Sequence, residues 1–160
     1  MPTTMMTGQI LLMRHAEKPD DASNVHLSPA GLQRAGKLAS YIPQTFGKPD
    51  FLFAAANSEL SHRPVETIEP LSQATGVPID SAVADGHHDF LANELMTKPR
   101  YEGQRIVICW HHESMRHFSR ELGGAKGDCP DPWGEDLFNL ILQFDYQNRK
   151  ATVQRIIEPF

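Results

Sequence analysis

Cysteine is scarce in this chain of 160 residues, which has only Cys109 and Cys129. One thiol lies in an apolar stretch and the other in a proline-rich loop, so neither a disulfide framework nor a zinc knuckle is implied. They read as free thiols in a reducing compartment. Long hydrophobic runs are also missing. The segment MPTTMMTGQ has no basic residue, and the apolar run that follows is far too short for a signal peptide or a membrane span. A cytoplasmic protein with no membrane partner is expected. A cationic excess is absent as well: 15 Lys and Arg stand against 20 Asp and Glu, a net charge of −5. That argues against a nucleic-acid partner held by bulk charge, because there are no surplus cations to release counterions. A local cluster of Arg and His is still free to make a positive pocket for an anion. Repeats, linkers and low-complexity segments are lacking too. The expectation is one domain, 1–160, with a sizeable core.

The remaining composition, 40% hydrophobic and 22% charged, is that of an ordinary globular protein. Within it one stretch stands out, Leu11-Leu12-Met13-Arg14-His15-Ala16-Glu17-Lys18-Pro19. An apolar run stops abruptly at an arginine and a histidine, and a turn and a helix follow. A parallel strand ends this way when it delivers side chains to its carboxyl edge. Arg14 offers a fork for phosphate or carboxylate. His15 is neutral through much of the physiological range, so a free ring nitrogen is available as nucleophile or base.

The rest of the chain alternates strand and helix for three quarters of its length. Gln9 to Met13 reads as the first strand. Ser28 as cap and Pro29 at the first helical position start a helix. Its packing face carries Leu32, Ala35, Leu38, Ala39 and Ile42, and Pro43 is expected to end it. Phe51 to Ala55 is a second strand, and a helix opens near Pro64 and closes at Gly76. Pro78 to Val83 reads as a short third strand, followed by the polar turn Asp85-Gly86-His87-His88-Asp89 and a helix over Phe90 to Met96. Arg105 to Trp110 is the clearest strand, ending on His111-His112-Glu113-Ser114. A helix with Met115, Phe118 and Leu122 on one side follows, then a loop from Ala125 to Glu135. Leu137 to Tyr146 and Thr152 to Ile157 read as a hairpin turning at Gln147-Asn148-Arg149.

This order predicts an α/β fold, a three-layer α/β/α sandwich with a mostly parallel central sheet and a C-terminal antiparallel hairpin. Arg14, His15, Arg63, His87, His88, His111 and His112 all fall just after expected strands. Parallel strands share one carboxyl edge, so these residues should converge there and suit a doubly charged tetrahedral anion.

With those pieces assembled, the chain resembles the histidine phosphatase superfamily, the phosphoglycerate-mutase-like enzymes. The resemblance is carried by Leu12-Met13-Arg14-His15-Ala16-Glu17, by Leu27-Ser28-Pro29-Ala30-Gly31 with Arg34-Ala35, by Arg63 with Glu66-Thr67, and by the late strand ending in histidine. It covers residues 9–124. It implies that His15 is the nucleophile and forms a phosphohistidine, with Arg14, Arg63 and the late histidine on the phosphoryl oxygens. It implies no cofactor and no metal, since cationic side chains supply the charge stabilisation that phosphoryl transfer needs. The second ring nitrogen of His15 should donate to a backbone carbonyl or similar acceptor, leaving a neutral imidazole to attack.

Two features depart from the family pattern. The late strand ends Trp110-His111-His112-Glu113, where family members usually have one histidine followed by a small residue. Counting from the strand start favours His111, whereas a Trp-x-His ending favours His112. The preference here is for His112, with His111 kept. The mutases also carry a recognisable Glu in a longer insertion after the third strand. This chain is short there and leaves Asp85, His87, His88 and Asp89 as possible general acids, each of which alone reads as a solvated turn residue. Glu17 is a further candidate, or a residue that orients Arg14 or lines the pocket. Arg34, in mid-helix, reads as a structural salt-bridge partner, and Glu66 and Thr67 as capping and packing residues.

The leading expectation is a small metal-independent phosphatase of the histidine acid type, acting on a phosphorylated small molecule or a phosphoprotein. A short, open site fits hydrolysis better than a mutase, which must keep its intermediate from water. The phosphohistidine phosphatases are the nearest in architecture, by analogy only. Two other readings stand beside it. One is a non-catalytic phosphate-binding module of the same fold. The other is a metal-dependent hydrolase built on His87-His88-Asp89 or His111-His112-Glu113, although neither run has HxH or HExxH spacing.

Overall fold

A computed structural model of the chain describes residue 5 and residues 7–160. Residues 1–4 and 6, part of the stretch read above for a leader, lie outside that description. The elements run β1 (Gly8–Arg14), α1 (Pro29–Phe46), β2 (Phe51–Ala54), α2 (Arg63–Thr75), β3 (Ile79–Asp80), α3 (His88–Thr97), β4 (Arg105–Trp110), α4 (His112–Glu121), β5 (Leu140–Gln147) and β6 (Lys150–Ile157). One sheet holds all six strands in the order β3-β2-β4-β1-β5-β6. The first four are parallel, and β5 and β6 run antiparallel.

β1 is continuously apolar because both its faces are covered, as the inner strand of a parallel sheet must be. Alternation sends Ile10 and Leu12 to one core and Leu11 and Met13 to the other. The first core packs α3 and α4 around Trp110, Met115 and Phe118. The second packs α1 and α2 through Leu38, Ile42, Ile68 and Leu71. Each such fully buried side chain contributes about 1.5–3 kcal/mol relative to exposure. The three-layer sandwich expected from the alternation is therefore present, and so is the antiparallel hairpin. Among the described residues no helix is long and apolar enough to cross a membrane.

Several boundaries differ from the sequence reading, each for a local reason. Pro43 does not end α1, which runs on to Phe46. A proline one turn from the end forfeits a single helical hydrogen bond, and its own carbonyl still accepts from Gly47 N–H at 3.0 Å. Leu32 is 59% exposed, so the buried face of α1 is Gly31, Ala35, Leu38 and Ile42. β3 has only two residues, because the Asp80 carboxylate accepts the N–H of Ala82 at 3.1 Å and turns the chain. A 3-10 turn at Asp85–His87 leads directly into α3, which starts at His88, ahead of Phe90. β5 begins at Leu140, since the Leu137 carbonyl is taken by Trp133 Nε1 at 2.9 Å and by Arg14. The hairpin turn is shorter than expected: Asn148 and Arg149 take φ of 53° and 65°, and Gln147 already pairs with Lys150.

Candidate active site

The carboxyl edge of the parallel strands carries a cleft of about 260 Å³ lined by Arg14, His15, Lys18, Ser58, Leu60, Ser61, Arg63, Asp85, His111, His112 and Glu113. Arg14 is the last residue of β1. His15 still extends the ladder, donating its N–H to the Trp110 carbonyl at 3.1 Å. The turn beyond is clamped from two sides. Ala16 N–H donates to Thr67 Oγ1 at 2.9 Å, and that hydroxyl donates to the Arg63 carbonyl at 2.7 Å. On the other side Ser28 N–H donates to the Glu17 carbonyl at 3.0 Å, while Ser28 Oγ caps α1 by accepting from Gly31 N–H at 3.1 Å. Gly31 comes so close that a Cβ there would lie 2.3 Å from the Glu17 carbonyl oxygen. The Leu-Ser-Pro-Ala-Gly segment thus docks on the turn that follows the histidine.

His15 is 3% exposed, and its Nδ1 lies 2.7 Å from the Ala16 carbonyl oxygen. A carbonyl only accepts, so Nδ1 carries the proton and Nε2 is left with a lone pair. Burial drives the imidazolium down to about 3. Arg14, His111 and Arg63 push the same way, and the Ala16 carbonyl only partly opposes them. The ring is therefore neutral across the physiological range.

Arg14 is 2% exposed. Its Nη1 donates to the carbonyls of Glu135 at 2.6 Å, Leu137 at 3.3 Å and Gly134 at 3.4 Å, and its guanidinium lies 4.0 Å over the Phe138 ring. Nε and Nη2 are buried with no partner among the described residues. Burial lowers its pKa to about 10, opposed by Glu135, Asp136 and Glu113. Arg63, the first residue of α2, has its Nε on the His26 carbonyl at 3.2 Å, Nη2 on the Asn24 carbonyl at 2.8 Å and Nη1 on Ser61 Oγ at 3.3 Å. Its pKa is also lowered by burial.

The two late histidines sit differently. The His111 ring stands edge-on to His15 with centroids 5.5 Å apart. Burial lowers its pKa, with Asp85 pulling the other way. His112 is the first residue of α4 and lines both this cleft and a neighbouring one with Trp133 and Glu135. Its pKa is also lowered, by burial and then by Arg14.

Of the possible acids, only Asp85 lines the cleft. Its Oδ1 accepts from Ser114 Oγ at 2.8 Å, and its carbonyl accepts Trp110 Nε1–H at 3.1 Å. His87 and Asp89 are exposed. His88 pairs with Glu121 at 2.5 Å and stacks on Phe118. Glu17 turns from the cleft into a two-point bridge with Arg34, at 2.9 and 3.0 Å, and Arg34 also reaches Glu158 at 2.8 Å. Neither His87-His88-Asp89 nor His111-His112-Glu113 gathers three metal-ligating atoms; among the described residues one other trio does, His26, His62 and Glu66.

Sequence reasoning passed over Thr67 as a support of the histidine turn and missed Ser61, Phe138 and the carbonyls at 134, 135 and 137. A backbone acceptor leaves no mark in side-chain chemistry. Thr67 did carry a signal: it follows Arg63 by one helical turn, which puts both on one face.

No protein-family model matches the sequence, and no curated protein matches it significantly. Solved structures do match. The protein histidine phosphatase SixA, solved with tungstate, superposes with a TM-score of 0.63 at 14% identity over 93% of this chain and 96% of that one. The phosphoglycerate mutase of Plasmodium falciparum gives 0.65 at 13% identity, over 94% and 91%. A mycobacterial glucosyl-3-phosphoglycerate phosphatase gives 0.62 at 13%, over 94% and 98%. At these identities the likeness is one of fold, and it extends over nearly the whole of each chain. The chain has the fold of the histidine phosphatase superfamily, in which phosphohistidine phosphatases and phosphoglycerate mutases share one architecture.

Proposed function

We propose that this chain is a metal-independent phosphatase of that superfamily, hydrolysing a phosphomonoester or a protein-borne phosphate through a phosphohistidine on His15. One observation carries the reading. A buried, neutral histidine with its Nδ1 proton committed to the Ala16 carbonyl shares a cleft with Arg63 and with an Arg14 whose buried Nε and Nη2 have no partner among the described residues. Buried donors are nearly always satisfied, and a phosphoryl oxygen is the acceptor this pair fits.

In the first step Nε2 of His15 attacks phosphorus and the ester P–O bond breaks. Arg14, Arg63 and His111 take the charge on the equatorial oxygens. The leaving oxygen receives a proton from Asp85, held in place by Ser114. In the second step Asp85 takes a proton from water, water attacks phosphorus, the N–P bond breaks, and His15 and inorganic phosphate are released. His111 is assigned the phosphate position ahead of His112 because its ring packs against that of His15, with centroids 5.5 Å apart. The segment between β3 and α3 is short, with no long insertion to seal the cleft, and this supports hydrolysis over retention of an intermediate.

The deciding experiment mixes wild type and His15→Ala with a generic phosphomonoester, quenches in alkali and reads intact mass. One added phosphoryl group in wild type, lost on acid treatment and absent from the variant, is the expected result. Turnover that survives the substitution would overturn the mechanism.

A further inference from the structure

We propose a transition-metal site outside the catalytic cleft, formed by His26, His62 and Glu66, that takes Zn²⁺ or a similar borderline divalent ion. One ring nitrogen from each histidine and one Glu66 oxygen all lie within 4.8 Å of one another. Two imidazoles and a carboxylate make the donor set of an open, three-ligand zinc site. It is a poor set for Mg²⁺ or Ca²⁺, which take oxygen ligands.

The trio is held in place by its surroundings. His62 precedes α2, and Glu66 lies one turn on, bonded through its N–H to the His62 carbonyl at 3.1 Å, so both project from one face. The loop bearing His26 is tied to the same helix start, with His62 N–H on the Val25 carbonyl at 2.9 Å and His26 N–H on Asn24 Oδ1 at 2.9 Å. Leu27 N–H fixes Glu66 Oε1 at 2.9 Å and leaves Oε2 to His26 Nδ1 at 2.5 Å. The two histidine rings stand edge to face, with centroids 5.3 Å apart.

Ligand atoms on a tetrahedral zinc are about 3.3 Å apart, given bonds of about 2 Å. The Nδ1–Oε2 pair must therefore open by about 0.8 Å, and His62 must close by about 1.5 Å at most. The His26 side chain is 58% exposed, so it is free to swing and the ion enters from solvent. The ion takes the place of the hydrogen bond between His26 Nδ1 and Glu66 Oε2.

The position has a consequence for the cleft. Arg63 lies between His62 and Glu66 in sequence, and it donates to the backbone carbonyl of His26. An ion on the trio ties the loop that holds the Arg63 guanidinium to the helix that carries Arg63. The binding itself is independent of the phosphatase reading.

Calorimetric titration of Zn²⁺ into the full chain, in a non-coordinating buffer, tests the site against His62→Gln and His111→Gln, with Mg²⁺ as the control ion. His62 is the deciding position because its side chain caps nothing. One equivalent of Zn²⁺ bound by wild type, with affinity weakened about tenfold or more in a folded His62→Gln and unchanged in His111→Gln, is expected. Zinc-edge anomalous diffraction should then place the ion on the three residues. Absence of zinc binding, binding indifferent to His62→Gln, or an ion found on His111 or His112 would each overturn the proposal.

Discussion

The Thr67 hydroxyl accepts the N–H of Ala16 at 2.9 Å and donates to the Arg63 carbonyl at 2.7 Å, so one buried side chain ties the histidine turn to the start of the arginine helix. Thr67→Val keeps the shape and removes both bonds. The Ala16 N–H is then buried without an acceptor, at a cost of about 1–3 kcal/mol. Urea unfolding should show that loss. In the phosphatase reading kcat should also fall, by up to about a hundredfold, because His15 is no longer held to its line of attack. Stability and kcat both equal to wild type would show that the clamp is dispensable.

The depressed pKa of His15 makes a prediction about acid stability. Its folded value of about 3 lies below the ordinary 6.5. Between those limits the unfolded chain binds a proton that the folded chain refuses. Stability present above pH 6.5 is therefore lost as pH falls toward 3. The contribution reaches on the order of 5 kcal/mol at the acid end. Glu158 works the other way. Burial raises its carboxyl to about 7 against the pull of Arg34, so its proton is favoured in the folded state and its share of stability falls as pH rises from 4.5 to 7. Unfolding free energies of wild type and His15→Ala, measured from pH 7 to 4, isolate the His15 share. The variant should lose less stability on acidification, and parallel curves would refute the assignment.

Asp85 as proton donor should reveal itself through the leaving group. Asp85→Asn is expected to lower kcat/KM, which reports the first step alone, by about 10²- to 10⁴-fold on an alkyl phosphate, whose alkoxide must be protonated. On p-nitrophenyl phosphate, whose leaving group departs unaided, the loss should be much smaller. An equal loss on both substrates would leave Asp85 as a structural partner of Ser114.

The two late histidines can be told apart by kinetics. His111→Ala should cost about a hundredfold or more in kcat/KM, the scale of losing one pre-organised donor. His112→Ala should stay near wild type. The reverse pattern would move the phosphate position to the start of α4.

Gly31→Ala tests the docking of α1 on the histidine turn. The new methyl meets the Glu17 carbonyl at 2.3 Å, and since that oxygen is backbone the turn itself must shift. A loss of about 1–3 kcal/mol is expected by thermal unfolding. Gly36→Ala on the same helix meets nothing and serves as the control.

The sheet and its carboxyl edge were legible because apolar runs in β1 and β4 stop at polar residues, a pattern that survives any detail of packing. Ser28 and Pro29 marked the start of α1 for the same local reason. What the sequence hid depended on distant partners. Pro43 reads as a terminator until the surroundings carry α1 past it. Leu137 reads as strand until Trp133 and Arg14 claim its carbonyl. Glu17 reads as a pocket residue until Arg34, a helix away, takes its carboxylate. The choice between His111 and His112 is a matter of which ring packs against that of His15, and a two-residue count leaves that open.

The sheet order has a bearing on how the chain matures. β1 precedes every other strand in the sequence, yet its two neighbours are β4 and β5, with Gln9 beside Arg105 on one side and Asp145 on the other. The strand that ends on Arg14 stays without a lateral partner until residues 105–110 have been made. Such long-range closure is slow, and it exposes an apolar edge in the meantime. A product ending before β5 leaves one edge of β1 unpaired, so the strand end that carries Arg14 is expected to settle only when β5 has joined it.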